Sequence, residues 1–105
     1  MIRGTTPVHK FELPFDTADI STVRVIYAQG NSVLLEKSTE ECRLDKQSVR
    51  VRLTQEETML FDHRYKAQIQ VRVLTKTGSA LTSDVITVDV GKLLKDEVLV
   101  DDVQR

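Results

Sequence analysis

The chain has no tryptophan, and its other aromatic residues are Tyr27, Tyr65 and three phenylalanines. Sugar-binding β domains offer flat aromatic platforms, so this scarcity disfavours a carbohydrate-binding role. Cys42 is alone, which excludes an intramolecular disulfide; with only His9 and His63 as imidazoles, no zinc-ligand spacing can be assembled. Neither charge sign is in excess, because 15 Lys and Arg stand against 16 Asp and Glu for a net charge of -1. That balance leaves no surplus to neutralise phosphates, so nucleic acid is not expected as a partner. No apolar run approaches the roughly 20 residues of a membrane span, and "MIRGTTPVHK" lacks the apolar core of a secretory signal. Folding in a cytoplasm with no membrane partner is therefore expected.

What the chain does have is alternation. Its 105 residues are 40% hydrophobic and 30% charged, which suits one globular domain able to bury roughly 60–70% of its unfolded surface. Turn signals recur every 8 to 12 residues or so, and the pieces between them favour Val, Ile, Thr and Leu with a period of two. Strands are predicted near 7–13, 22–29, 32–37, 41–44, 48–53, 66–75 and 84–90, the fourth of them weak. Gly30 and Asn31 tolerate positive φ and predict a tight hairpin, and "TKTGS" predicts another. Alternation then turns Val49, Val51, Leu53, Ile69, Val71, Val73, Ile86, Val88 and Val90 inward, with Phe11, Leu13 and Phe15 also facing the core.

The stretch "LTQEETMLF" at 53–61 breaks this pattern. Thr54 followed by Glu57 spells a capping box, and Glu56 and Glu57 suit the positive end of a helix dipole, so one or two helical turns are expected. Met59, Leu60 and Phe61 are expected to plug the open end of the domain, with Tyr65 placed as a corner tyrosine before the next strand. The fold class that results is all-β: an immunoglobulin-like antiparallel β-sandwich of about seven strands, with one short helix between strands five and six. Residues 1–91 form the domain and 92–105 a C-terminal extension.

Candidate catalytic groups all have plainer explanations. Glu56 and Glu57 diverge by about 100° on a helix and cannot flank one bond, whereas capping accounts for them. His9 and Glu12 lie an odd number of residues apart on a strand and point to opposite faces. His63 falls at the end of the short helix. Lys76–Gly78 and Ser83–Asp84 match fragments of a serine β-lactamase signature whose Ser-x-x-Lys nucleophile is missing. Asp16, Asp19, Asp101 and Asp102 lack the alternating spacing of a calcium loop. Neither a catalytic site, a cofactor nor a metal is expected. Arg24, Arg50, Arg52 and Arg72 form a basic face if their strands are neighbours. Leu93, Leu94, Val98, Leu99 and Val100 carry more apolar surface than a loose terminus usually does, and pack either on their own domain or on a neighbouring protein.

From "MIRGTTPVHKFELPFD" through "VRVIYAQ", "VLLEK", "LTQEET" and "IQVRVLTKTGSALTSDVITVDVGKLLKDEVL", the chain resembles small uncharacterised phage and prophage structural proteins. It is also similar, more loosely, to the N-terminal domain of phage upper baseplate proteins. The first likeness covers about residues 1–99 and rests on strand patterns and a capped turn. It implies a non-enzymatic virion component of the tail or baseplate, made in the host bacterial cytoplasm. Such a component works by assembling with other virion proteins or with copies of itself as a homo-oligomer. The alternative is a bacterial immunoglobulin-like ligand-binding or adhesion module, using the arginine face or the loops near Gly30 and Gly78.

Overall fold

Val49 and Val51 are fully buried, while Arg50 and Arg52 are exposed. This two-residue count organises the whole molecule. The computed structural model describes residues 1–101, in which eight strands form two antiparallel sheets. They are β1 (Val8–Glu12), β2 (Ile20–Gln29), β3 (Ser32–Lys37), β4 (Cys42–Asp45), β5 (Ser48–Arg52), β6 (Ala67–Thr75), β7 (Ala80–Thr82) and β8 (Ile86–Val88). The smaller sheet has the order β1-β5-β4; the larger has the order β3-β2-β6-β7, with β8 also pairing β6.

One core gathers residues from both sheets. Val49 and Val51 of β5 join Val23, Val25 and Tyr27 of β2 and Ala67, Ile69, Val71 and Val73 of β6, with Leu53, Phe61 and Val90 closing the cluster. Burying a Val or Leu side chain contributes about 1.5–3 kcal/mol, so this shared cluster is what holds the two sheets together. Phe11, Leu13 and Phe15 pack against it while half-buried. The Cα envelope is only 17 Å along its thin axis, which leaves each sheet one buried and one wet face.

The Gly30–Asn31 hairpin forms as expected, with φ of 55° and 65°, the two positive values a type I′ turn requires. Four details differ. The strand expected at 84–90 is only β8, preceded along the same side of β6 by an unexpected short strand, β7, and Ile86 is exposed rather than inward. Ser83 fills the break, since its hydroxyl accepts from the Val71 N–H at 2.9 Å and its own N–H donates to the Val71 carbonyl. Among the described residues helical structure is confined to the single turn α1 (Gln55–Thr58) and two 3₁₀ turns, Thr17–Asp19 and Thr39–Glu41. Because α1 stops at Thr58, the plug is Phe61 alone; Leu60 is 54% exposed. Tyr65 is no corner tyrosine, for its ring is exposed beneath Arg64.

The capping box of α1 is complete. Thr54 Oγ1 accepts from the Glu57 N–H at 3.1 Å, and Glu57 Oε1 accepts from the Thr54 N–H at 2.8 Å. The other Glu57 oxygen lies 2.6 Å from Lys37 Nζ, whose side chain is buried at the end of β3. Glu57 thus ties the crossover between β5 and β6 to an edge strand of the larger sheet. Burial opposes its ionisation, yet the Lys37 ammonium and the Thr54 backbone outweigh that and hold its carboxyl below the usual 4.5.

Thr54→Ala is expected to cost about 1 kcal/mol in chemical denaturation. Glu57→Gln is expected to cost more, toward roughly 3 kcal/mol, the low end for breaking a buried pair, because Glu41 remains 3.7 Å from Lys37. A carboxyl whose folded pKa is depressed stabilises above its unfolded value and loses that contribution as pH falls through the folded one. Native stability should therefore decline below about pH 4.5 less steeply in Glu57→Gln than in the wild type, measured by denaturation at stepped pH.

Candidate interaction surfaces

The four arginines expected to share one face do not. Arg24 and Arg72 face each other across β2 and β6 on the outer side of the larger sheet. Arg50 and Arg52 lie on β5 in the smaller sheet, whose outer side points the opposite way from the shared core. Sequence fixes which face of its own strand a residue occupies, but strand neighbours depend on topology. Arg24 is also engaged, its Nη1 donating to the Val23 carbonyl at 2.9 Å and its Nε lying 3.8 Å from Glu36.

The smaller sheet assembles a different basic group, which strand patterns alone did not reveal. Register places Lys10 opposite Arg50 and Arg50 opposite Arg43, so three cations form one row across β1, β5 and β4 on the exposed face. Arg52 lies two residues along β5 from Arg50. Like charges directly opposite one another destabilise a sheet by a few tenths to about 1 kcal/mol per pair. Arg43, Arg50 and Arg52 have no ion pair or side-chain hydrogen bond among the described residues. Lys10 meets Glu12 at 3.1 Å, an exposed pair of little energetic weight. Glu12 and Asp45 bound the row on one side, opposite Ser48 in the next register position, and Glu40 and Glu41 bound it on the other.

Residues 91–99 pack on the rest of the chain through backbone, polar and apolar contacts. The Gly91 N–H donates to the Met1 carbonyl at 2.6 Å, and Ile2 and Gly91 form a parallel bridge. Arg3 Nη1 meets Asp96 Oδ1 at 2.6 Å, and its Nη2 donates to the Met59 carbonyl at 3.2 Å. Gln55 holds Leu99 at both ends of its side-chain amide, accepting from its N–H at 2.7 Å and donating to its carbonyl at 3.0 Å. Gly4 makes the close approach possible: at φ +75° it needs no side chain, and a Cβ there would meet Leu93 Cδ1 at 2.7 Å.

Docking orients the five apolar side chains differently. Leu93 and Val98 are half-buried, whereas Leu94 is 99% exposed, Leu99 69% and Val100 78%. Leu94 and Leu60 both line an open depression of about 710 Å³, shared with Met59, Arg3, Arg64 and Lys92. Residues 102–105, including Asp102, lie outside the described residues.

A second polar pair borders the core. His9 Nδ1 and the Tyr27 hydroxyl share a 2.7 Å hydrogen bond, and Phe61 packs edge-on against Tyr27. Burial, helped by the charged N-terminus, pushes the His9 imidazolium down; burial, with Cys42 and Glu57 nearby, pushes the Tyr27 phenol up. Both groups stay neutral at pH 7. Burial and Glu41 raise the Cys42 thiol, which makes it a poor nucleophile. His63 is exposed in the turn after α1. Among the described residues no three His, Cys, Asp or Glu side chains converge as a metal site.

No family model, no curated protein and no solved structure matches the chain.

Gln55→Ala removes both side-chain bonds to Leu99. The Leu99 amide is expected to lose its hydrogen-exchange protection in that variant, while amides of β6 keep theirs. Unchanged protection at Leu99 would show that the extension is held by other contacts.

Proposed function

We propose that this chain is a non-enzymatic structural or assembly module of a phage or prophage virion, a tail or baseplate component, built as an immunoglobulin-like β-sandwich. It works through contacts with other virion proteins or copies of itself. Strand order supports the fold reading. In variable-type immunoglobulin domains one sheet contains B-E-D and the other C′-C-F-G. With β1 as B, the orders β1-β5-β4 and β3-β2-β6-β7/β8 match these, with α1 falling at the E–F crossover. The Cys–Trp–Cys core of antibody domains is missing; Tyr27 and Phe61 fill the centre instead.

The observation that carries the assembly reading is the presentation of Leu94. A segment pinned by Arg3, Gln55 and Gly91 holds a leucine almost fully in water, at the rim of a depression that the exposed Leu60 also lines. Ordered apolar side chains displayed in this way suit a protein–protein contact. The cation row of Lys10, Arg50 and Arg43 suits a partner protein and is also compatible with a second reading, a bacterial immunoglobulin-like ligand-binding or adhesion module.

Light scattering over a range of protein concentrations separates the two. Assembly through the apolar end predicts a mass above that of the 11.9 kDa chain, returning to monomer in Leu94→Asp, which loses no contact within the free chain. A monomer at every concentration would remove self-assembly from the reading.

A further inference from the structure

Sheet edges with unpaired backbone groups are usually blunted, because they invite pairing with another chain. Three of the four edges here are short or irregular. The β3 edge carries a bulge, since Tyr27 pairs Leu35 and Ala28 pairs Val33, leaving Leu34 extra. The β7/β8 edge is broken at Ser83, and β4 has only four residues. By contrast β1 runs five residues in unbroken register with β5.

Register also decides which β1 groups are free. Leu53 N–H donates to the Pro7 carbonyl and Leu13 N–H to the Gln47 carbonyl, so residues 7, 9, 11 and 13 are those bonded to β5. The N–H and C=O groups of Val8, Lys10 and Glu12 therefore point away from β5. Nothing among the described residues pairs with them. Beside this edge, a slot of about 330 Å³ opens between the two sheets, lined by Leu13, Phe15, Val71, Val73 and Leu81. A free ladder and an apolar slot thus lie side by side.

We infer that the β1 edge accepts an extended strand of a partner protein, with a carboxylate opposite Lys10 and apolar side chains opposite Phe11 and Leu13. Strand addition supplies the backbone bonds, and alternate side chains supply the selectivity. Residues opposite Val8, Lys10 and Glu12 lie on the outer face, where the carboxylate meets the row of Lys10, Arg50 and Arg43 and relieves its self-repulsion. Residues opposite Phe11 and Leu13 turn inward over the slot. Charge selects against the other occupants. A second copy pairing β1 with β1 sets Lys10 against its twin and extends the row to six cations. A nucleic-acid backbone laid across the row meets Glu12 and Asp45 one register position away. This inference rests on the assembly reading and names the partner's chemistry.

The test uses the full chain, labelled with ¹⁵N, and two ten-residue peptides alternating valine with polar residues. One peptide carries glutamate at its central polar position, the other lysine. At about ten times its Kd the glutamate peptide is expected to slow exchange of the Val8, Lys10 and Glu12 amides about tenfold, leaving those of His9 and Phe11 unchanged. The lysine peptide and a Lys10→Glu variant should show no such protection, and the thermal melt of Lys10→Glu should be no lower than that of wild type, because the side chain is exposed and its repulsion with Arg50 is removed. Three results would overturn the inference: no protection at millimolar peptide, equal protection by both peptides, or protection in the free protein that grows with its own concentration. None touches the light-scattering test at Leu94, so failure at this edge is distinguishable from failure of the assembly reading.

Discussion

In an antiparallel ladder a count of two decides three things together: which face a side chain takes, which neighbour its backbone bonds, and which residues oppose one another. That constraint organises this molecule. The count that buries Val49 and Val51 sends Arg50 and Arg52 outward, and it leaves the backbone of Lys10 free while that of His9 is bound. A slip of one residue would expose the core and bury the cation row. The apolar core is what makes such a slip costly, so the exposed surfaces inherit their geometry from the buried ones.

Two fastenings hold the rest around this frame. Glu57 caps α1 and pairs with the buried Lys37, joining the crossover to the far sheet edge. At the other fastening, the N-terminal residues clamp the C-terminal extension through Arg3, Gly4 and the Ile2–Gly91 bridge. The clamp explains how apolar side chains at the end of a chain can be both ordered and exposed. Leu93 faces Gly4, and the next side chain, Leu94, points to water.

Much of the strand layout was legible because it follows from local chemistry. Alternation located every described strand except β7, Gly30 and Asn31 marked a hairpin, and Thr54 with Glu57 marked a helix start. What escaped was non-local. No spacing in the sequence says that Arg50 neighbours Arg43 and Lys10 rather than Arg24 and Arg72. The β4–β5 turn was silent because its positive-φ residue is Lys46, not glycine or asparagine. Ser83 breaking the last strand by substituting its hydroxyl in the ladder gives no pattern to read. Nothing local to Lys37 signals its burial, which the approach of Glu57 from 20 residues further along explains.

Cross-strand Hα–Hα contacts measure the register itself, since only non-hydrogen-bonded pairs bring these protons close. Strong nuclear Overhauser effects between Val8 and Arg52, Lys10 and Arg50, and Cys42 and Val51 are required by the pairing described. Strong effects instead between His9 and Arg52, or between Arg43 and Val51, would mean a ladder slipped by one residue. The core faces, the cation row and the free edge of β1 would then all be misassigned together.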